Sequence, residues 1–297
     1  MIGLELDDSR ALAVAIDPAG EVKARAQADA AGDLGAAAAK ALAEVQGAIA
    51  PGSQSLIGVA AINPESAAVA PVIAQLAVAF GSASGRGAVL SGTAAAAAEA
   101  WVGAARGLKD VVFFAVGEHT TGGVVRDGVA IVGAHGRAGS IAWLALNPVE
   151  REDYRKTGCL EAEVAAAGIV RRIIWRIKAG DRSRVQDIVN DDFSAITVDH
   201  VLTAARNGDG VSISVVRDTA KYLGMAAANL VVISDPEMLV LGGIMASAAD
   251  LLLEPIRTEI ARRLPKAMLD ALRIETASLG DAAAAIGAAR LVNAALP

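Results

Sequence analysis

Apolar positions recur along this chain with two different periods, and the places where the period changes delimit its elements. Short β-favouring runs at Ile2–Leu6, Ala11–Ile16 and Val22–Ala26 predict three successive strands, with Asp17-Pro18-Ala19-Gly20 as the turn between the last two. A helical pattern follows over 33–48, then a strand at Leu56–Ala61 and a loop near Asn63-Pro64. Val72–Phe80 reads as the next helix, Ala88–Leu90 as a short strand and 92–104 as a long Ala-rich helix. The pattern then restarts. Val111–Val116 is a buried-type strand, and Gly122–Val125 and Val129–Val132 flank the Arg126-Asp127-Gly128 turn as a hairpin. Helices dominate after residue 160, the longest over 211–233. Val240-Leu241-Gly242-Gly243 ends a strand and leads to a helix over 248–263. A last strand over 272–277 precedes a final helix over 281–295.

The repeated order of strands and helices predicts two related α/β lobes, 1–108 and 109–280, with the C-terminal helix 281–297 packing back onto the first. No low-complexity linker separates them, so the lobes are expected to pack closely.

Composition narrows the classes. Of 297 residues, 54% are hydrophobic and 20% charged, which excludes a disordered chain. A mean hydropathy of +0.45 raises the question of membrane spans. The Ala-rich stretches 94–100 and 282–289 are short and interrupted by Glu99 and Gly287, and no window reaches the roughly 18–20 uncharged apolar residues a spanning helix needs. Met1-Ile2-Gly3-Leu4-Glu5 carries no basic segment or cleavage site, so a soluble cytoplasmic protein is expected. A net charge of −6 argues against nucleic acid as a direct partner. The basic run of Arg171, Arg172, Arg176, Lys178, Arg182 and Arg184 reads as a solvated helix face and the loop after it. The single Cys159 excludes an intrachain disulfide and a multi-cysteine zinc site within one chain.

Taken in order, several segments resemble the ROK family (repressors, open reading frames and sugar kinases) of the actin-like ATPase superfamily. Ala204-Ala205-Arg206-Asn207-Gly208-Asp209 followed by Tyr222-Leu223-Gly224 is similar to that family's long lobe helix and its entry. Asp235-Pro236-Glu237 through Val240-Leu241-Gly242-Gly243 resembles its adenosine-binding segment, and Gly158-Cys159-Leu160-Glu161 the end of its zinc motif. Leu279-Gly280-Asp281 to Gly287-Ala288-Ala289 resembles its C-terminal strand–helix junction. The resemblance covers almost the whole chain. It implies an α/β, two-lobed actin-like ATPase fold, a duplicated ribonuclease H-like arrangement with sugar and ATP bound in the cleft between lobes.

The chemistry that the resemblance implies is largely substituted. The first phosphate loop, DxGGT in the family, corresponds to Glu5, Asp7, Asp8 and Ser9. Glycines there let backbone amides approach phosphate. Two aspartates instead would cost several kcal/mol against a triphosphate unless Mg²⁺ bridges them. The second loop, GTGxGGG, reads Gly117-Glu118-His119-Thr120-Thr121-Gly122-Gly123, leaving Gly117, Thr121, Gly122 and Gly123 as the candidate phosphate side. Gly242 and Gly243 are candidates for approaching a nucleotide base, or for packing a helix against the strand end.

The Asn-Asp pair that supplies the catalytic base corresponds to Leu90 and Ser91, and a one-residue shift would put Gly92 there. Neither takes a proton from a sugar hydroxyl near neutral pH. The sugar segment AGExGH reads Ala138-Gly139-Ser140-Ile141-Ala142-Trp143, with Ser140 for the glutamate that grips sugar hydroxyls and Trp143 for the histidine that ties sugar to zinc. Asn63-Pro64 stands at the sugar-side loop, and the connection after it looks shortened. Trp143 either plugs the vacated region as core or presents its ring to a flat ligand. The zinc motif CxCGxxGC reads Glu152, Tyr154, Arg155, Gly158 and Cys159, which excludes zinc there. His119, His135 and His200 read as ordinary loop and surface residues.

These readings lead to an expectation of a catalytically inactive family member without the repressors' N-terminal DNA-binding domain. It would bind a small ligand, a sugar among the candidates, or act as a regulatory module, commonly as a homodimer, with Asn63, Ser140 and Trp143 facing the ligand. The alternatives are an ATP-dependent hexose or amino-sugar kinase with a remodelled, Mg-ATP-using site, and a non-catalytic partner subunit of an intact kinase.

Overall fold

The N-terminal apolar runs pair into a sheet in the computed structural model, which describes residues 1–47, 56–80 and 88–294. β1 (Ile2–Leu6) is buried along its whole length. β2 (Arg10–Ile16) runs antiparallel to it, with Ile2 opposite Ala15 and Leu6 opposite Ala11. β3 (Val22–Asp29) continues antiparallel on β2, and pairing of Asp29 with Arg10 carries both strands past the bounds that hydropathy alone predicts. After α1 (Leu34–Gln46), β4 (Ile57–Ala61) lies parallel to β1. After α2 (Val69–Phe80), β5 (Val89–Leu90) lies parallel to β4, giving the order β3-β2-β1-β4-β5.

α3 (Ser91–Trp101) ends earlier than its alanine content predicts, because Glu99 turns the chain. The Glu99 carbonyl accepts from the Gly103 and Ala105 amides, and its carboxylate accepts from the Ala104 amide at 2.7 Å. β6 (Val111–Val116), β7 (Thr120–Arg126) and β8 (Val129–Ala130) follow, the last two joined by Asp127-Gly128, both at positive φ as a two-residue hairpin turn requires. The helical stretch comprises α4 (Glu152–Thr157), α5 (Cys159–Val164), α6 (Ala166–Lys178), α7 (Arg184–Ile188), α8 (Val198–Arg206) and α9 (Gly210–Ser234). It is followed by β9 (Met238–Gly243), α10 (Ile244–Ser247), α11 (Ala249–Ala261), α12 (Lys266–Ala271), β10 (Arg273–Thr276) and α13 (Ala283–Ala294). The second sheet has the order β10-β9-β6-β7-β8, with β9 and β10 parallel. Residue 48, the predicted end of the first helix, and residues 295–297 lie outside the described residues.

Packing divides these elements into two units: Met1–Phe113 with Thr121–Ser140 and Ala277–Pro297, and Phe114–Thr120 with Ile141–Thr276. In the first, the alanines and glycines are where backbones touch. A Cβ at Gly3 would overlap the Ala285 carbonyl, one at Gly58 the Ala288 carbonyl, and one at Gly287 the Ala94 carbonyl. α13 therefore lies directly on β1, β4 and α3, and small side chains permit that approach. Glu99, fully buried, also accepts from the Ser278 and Leu279 amides at 3.0 Å each, tying α3 to the segment before α13.

In the second unit, α9 is the central helix, packed against α5, α6, α8 and α11. Asp209 caps it: its carboxylate accepts from the Ser212 amide, the Ser212 and Ser183 hydroxyls and the Arg184 amide. Burial works to raise the Asp209 pKa, but those hydrogen bonds outweigh it and hold the carboxyl below its ordinary value. The basic run is largely the solvated face and loop expected: Arg171, Lys178, Arg182 and Arg184 are exposed, while Arg172 and Arg176 are half-buried. Arg171 donates to the Ala162 carbonyl, Arg172 to Glu163 and Thr219, Arg176 to Asp181 and Ser214, and Arg184 to the Asn207 carbonyl. Long guanidinium side chains reach acceptors on neighbouring elements, a reach that spacing along one helix does not show. Among the described residues no helix is long and apolar enough to cross a membrane.

Candidate functional site

The β1–β2 turn carries its own anion. Asp7 Oδ1 accepts from the Ser9 amide at 2.7 Å, the Arg10 amide at 2.9 Å and the Ser9 hydroxyl at 2.6 Å, while Oδ2 accepts from Arg10 Nε at 3.1 Å. Burial acts to raise the Asp7 pKa, and the bonds from Ser9 and Arg10 more than offset it, so the carboxyl sits below its ordinary value. The backbone amides that a glycine turn would offer to phosphate are consumed by this side chain. Asp8 is engaged too: the Ser66 hydroxyl donates to its Oδ1 at 2.6 Å and accepts from the Val69 amide at the start of α2.

Ser91, the residue that the sequence resemblance aligns with the catalytic base, opens α3 and is 3% exposed. Its hydroxyl has no hydrogen-bond partner. The buried Glu5 carboxyl on β1 is its neighbour; the hydroxyl acts on that carboxyl by proximity, and no bond of normal hydrogen-bond geometry joins the two. Burial pushes the Glu5 pKa up, only partly offset by Ser91 and by Arg10, whose guanidinium lies 3.9 Å away.

Around the start of α3, glycines serve backbone contact. A Cβ at Gly92 would overlap the Gly122 backbone, one at Gly123 the Gly92 carbonyl, and one at Gly139 the Gly122 carbonyl. Gly122 and Gly123 are thus brought beside Ser91's helix, and Gly123 is required by packing. Thr121, between them and the loop, is half-buried. The Thr93 hydroxyl donates to the Ala138 carbonyl at 3.3 Å, attaching the sugar-like segment to the same helix. Ser140 is exposed and donates to the Arg137 carbonyl at 2.8 Å. Arg137 in turn pairs with Glu65, whose amide donates to Asn63 Oδ1 at 3.3 Å. The Asn63 loop and the Ser140 segment are therefore joined through an exposed ion pair.

In the second unit, the loop after β6 is also capped by a carboxylate. Glu161 Oε2 accepts from the Thr120 amide at 2.8 Å, and its Oε1 lies 3.3 Å from His119 Nδ1. Gly117 donates to the His119 carbonyl and accepts from the Ala166 amide, which pins the loop to the start of α6. The Thr120 hydroxyl is buried with no partner, and Glu118 points to solvent. Gly243 has φ +62, and a Cβ there would overlap the Val116 carbonyl, so it packs β9 closely against β6; Gly242 is buried. Trp143 sits on a single 3₁₀ turn, Ile141–Trp143, and is 57% exposed, so it does not plug the region as core. Gly158, at φ +92, holds that turn, since a Cβ there would overlap the Ala142 carbonyl. His135 is exposed, and His200 closes a capping box with Thr197 at the start of α8.

The zinc-motif positions do not fit zinc. Cys159 is buried against Tyr154 and Ala162, with Leu146 packed on them, while Glu152 and Arg155 are exposed. One thiol and no imidazole cannot complete a tetrahedral zinc set, and among the described residues no group of three His, Cys, Asp or Glu can hold a metal. The Tyr154 hydroxyl donates to Glu163 instead. Burial, then that bond to a carboxylate, pushes its pKa up to about 12. The roles of Glu161, Glu163 and Arg172 are what sequence reasoning misses. Two carboxylates on a short, otherwise apolar segment were the available signal for the first two; nothing local marks Arg172.

A family model described as the ROK family matches residues 88–295. A glucokinase from Halalkalibacterium halodurans is 35% identical over 202 residues, covering 67% of this chain and 61% of its own. The DNA-binding transcriptional dual regulator NagC of Escherichia coli is 30% identical over 202 residues, covering 68% of this chain and 48% of its own. The chain thus matches between about half and three-fifths of the length of these curated relatives. The crystal structure of a ROK family glucokinase from Streptomyces griseus, in complex with glucose and AMPPNP, superposes with a TM-score of 0.80 at 21% identity, covering 99% of both chains. That likeness shows the α/β, actin-like sugar-kinase fold expected from the sequence.

Proposed function

Since the chain belongs to the ROK family, we propose that it is a catalytically silent relative of the sugar kinases, working as a small-ligand-binding or regulatory module. Ser91 carries this reading. Its hydroxyl is buried without a partner, and the sequence resemblance aligns it with the family's base, which must accept a proton from a sugar hydroxyl. General-base catalysis contributes about 10²–10⁴-fold, so its loss alone reduces phosphoryl transfer to a trace. The turn amides held by Asp7 support the same reading, because phosphate would have to displace an internal carboxylate to use them. Mg-ATP is accordingly not assigned as a cofactor. The relatives' names point to a sugar as the ligand class. In the first unit Asn63 and Ser140 offer it polar side chains; in the second, taken by itself, the exposed Trp143 ring offers a stacking face. A homodimer, with no direct nucleic-acid contact, completes the proposal.

One observation favours a second reading, ATP-dependent phosphorylation of a hexose or amino sugar. Glu5 is a buried carboxyl beside Ser91 whose pKa burial raises above its ordinary value, the direction in which enzymes tune a carboxylate base. A coupled ADP-release assay with Mg-ATP and a panel of hexoses and amino sugars separates the two. The silent reading expects no turnover above the uncatalysed background. Turnover that disappears in Glu5→Gln would establish the second reading in its place.

A further inference from the structure

Glu163, on α5, is 5% exposed and gathers donors from several segments of the second unit. Tyr154 on α4 donates its hydroxyl to Oε1, and Arg151, just before α4, donates Nη1 to the same oxygen at 3.2 Å. Arg172 on α6 donates Nη2 to Oε2 at 2.7 Å and to the Glu163 carbonyl at 2.9 Å. Arg172 is itself anchored on α9, where its Nη1 donates to the Thr219 hydroxyl at 2.8 Å and its guanidinium lies 5.8 Å from the Tyr222 ring centroid. Asn147 Nδ2 donates to the Tyr154 hydroxyl at 3.2 Å, and Arg151 lies 5.0 Å over the same ring.

An ionised carboxylate has about four acceptor sites, as many as a tetrahedral metal has ligands. A helix as short as α5 (six residues) does not hold its own direction, and it begins at Gly158 with no side-chain cap. Something beyond α5 must orient it, and the zinc-motif positions cannot do so through a metal. We infer that Glu163 with Tyr154, Arg151 and Arg172 is a metal-free replacement for the family's zinc cross-link, fixing α5 so that Glu161 holds the Thr120 amide and His119. Residues two apart on a helix face different directions. Glu161 therefore serves the loop while Glu163 serves α6 and α9. Glu163 is a positioning residue, and its role stands whether or not the chain is catalytic.

The test uses the full chain purified without chelator. Elemental analysis is expected to find zinc far below one atom per chain, with Tm unchanged by EDTA. Glu163→Gln is expected to lower Tm by roughly 5–10 °C and to speed amide hydrogen exchange at Thr120 by about tenfold or more. Tyr154→Phe, which removes one bond and keeps the ring, should move Thr120 exchange in the same direction with a smaller loss of Tm. In a double-mutant cycle, Glu163→Gln and Arg172→Met should be strongly non-additive. Stoichiometric zinc whose removal lowers Tm would overturn the inference. So would Thr120 exchange that stays at the parent rate in Tyr154→Phe and in any folded Glu163→Gln protein.

Discussion

Glu5 shows what one buried carboxyl does to this protein's response to pH. Burial raises its folded pKa, so the stability it contributes is complete below the unfolded value and is lost as pH rises through the folded one. Arg10, 3.9 Å away and shared with Asp7 and Asp281, only partly offsets the cost of ionising it there. Glu5→Gln keeps the shape and removes the charge. Its Tm is expected to lie a few degrees above the parent's at pH 7, with the gap closing toward pH 4 as the parent carboxyl takes up its proton. Thermal scans across that range check it; a Tm at or below the parent's at pH 7 would contradict the assignment. Asp7 behaves oppositely, being held ionised by the turn it closes. The identity of both residues could be read from the sequence as a departure from DxGGT. What each touches could not, because Ser91 and Arg10 reach them only once β1, β2 and the start of α3 have come together.

At the level of elements, α13 and α3 meet through backbone, and Gly287 is the point of contact. Helix propensity alone predicts that Gly287→Ala would stabilise the protein by about 0.5–1 kcal/mol. The overlap of a Cβ with the Ala94 carbonyl reverses that sign. Gly287→Ala is expected to destabilise the fold by about 1–3 kcal/mol, the usual cost of overpacking. A urea unfolding series measures it, and a gain in stability would show that the two helices can separate at no cost. The same geometry accounts for the alanine-rich composition that suggested membrane spans: small residues line helix contacts within a folded unit. Hydropathy registers such a stretch as apolar and cannot tell close packing from lipid.

For the whole molecule, ligand binding is the decisive property. A ligand at 100 times its Kd stabilises the folded state by about 2.7 kcal/mol, which raises Tm by several degrees for a chain of this size. With Asp7 occupying the turn amides, a hexose or amino sugar is expected to raise Tm while Mg-ATP leaves it unchanged. A shift with Mg-ATP would show that phosphate displaces the internal carboxylate. The regulator and the glucokinase among the relatives share this scaffold, so the fold alone leaves both outcomes open.

Hydrophobic period and turn chemistry act over a few residues. For that reason the strands from Ile2 to Ile16, the Asp127-Gly128 hairpin and the long helix α9 were legible in the sequence. Tertiary structure alone decided which donors each carboxylate meets. Glu161 with Thr120, Glu163 with Arg172 and Glu99 with Ser278 each join separate elements and are formed by the final packing, whereas Asp7 bonds within its own turn. It also decided that Trp143 stays exposed and that Arg172 and Arg176 turn inward from an otherwise exposed basic run. Identity sets what a side chain can bond; only the convergence of distant elements sets what it does bond.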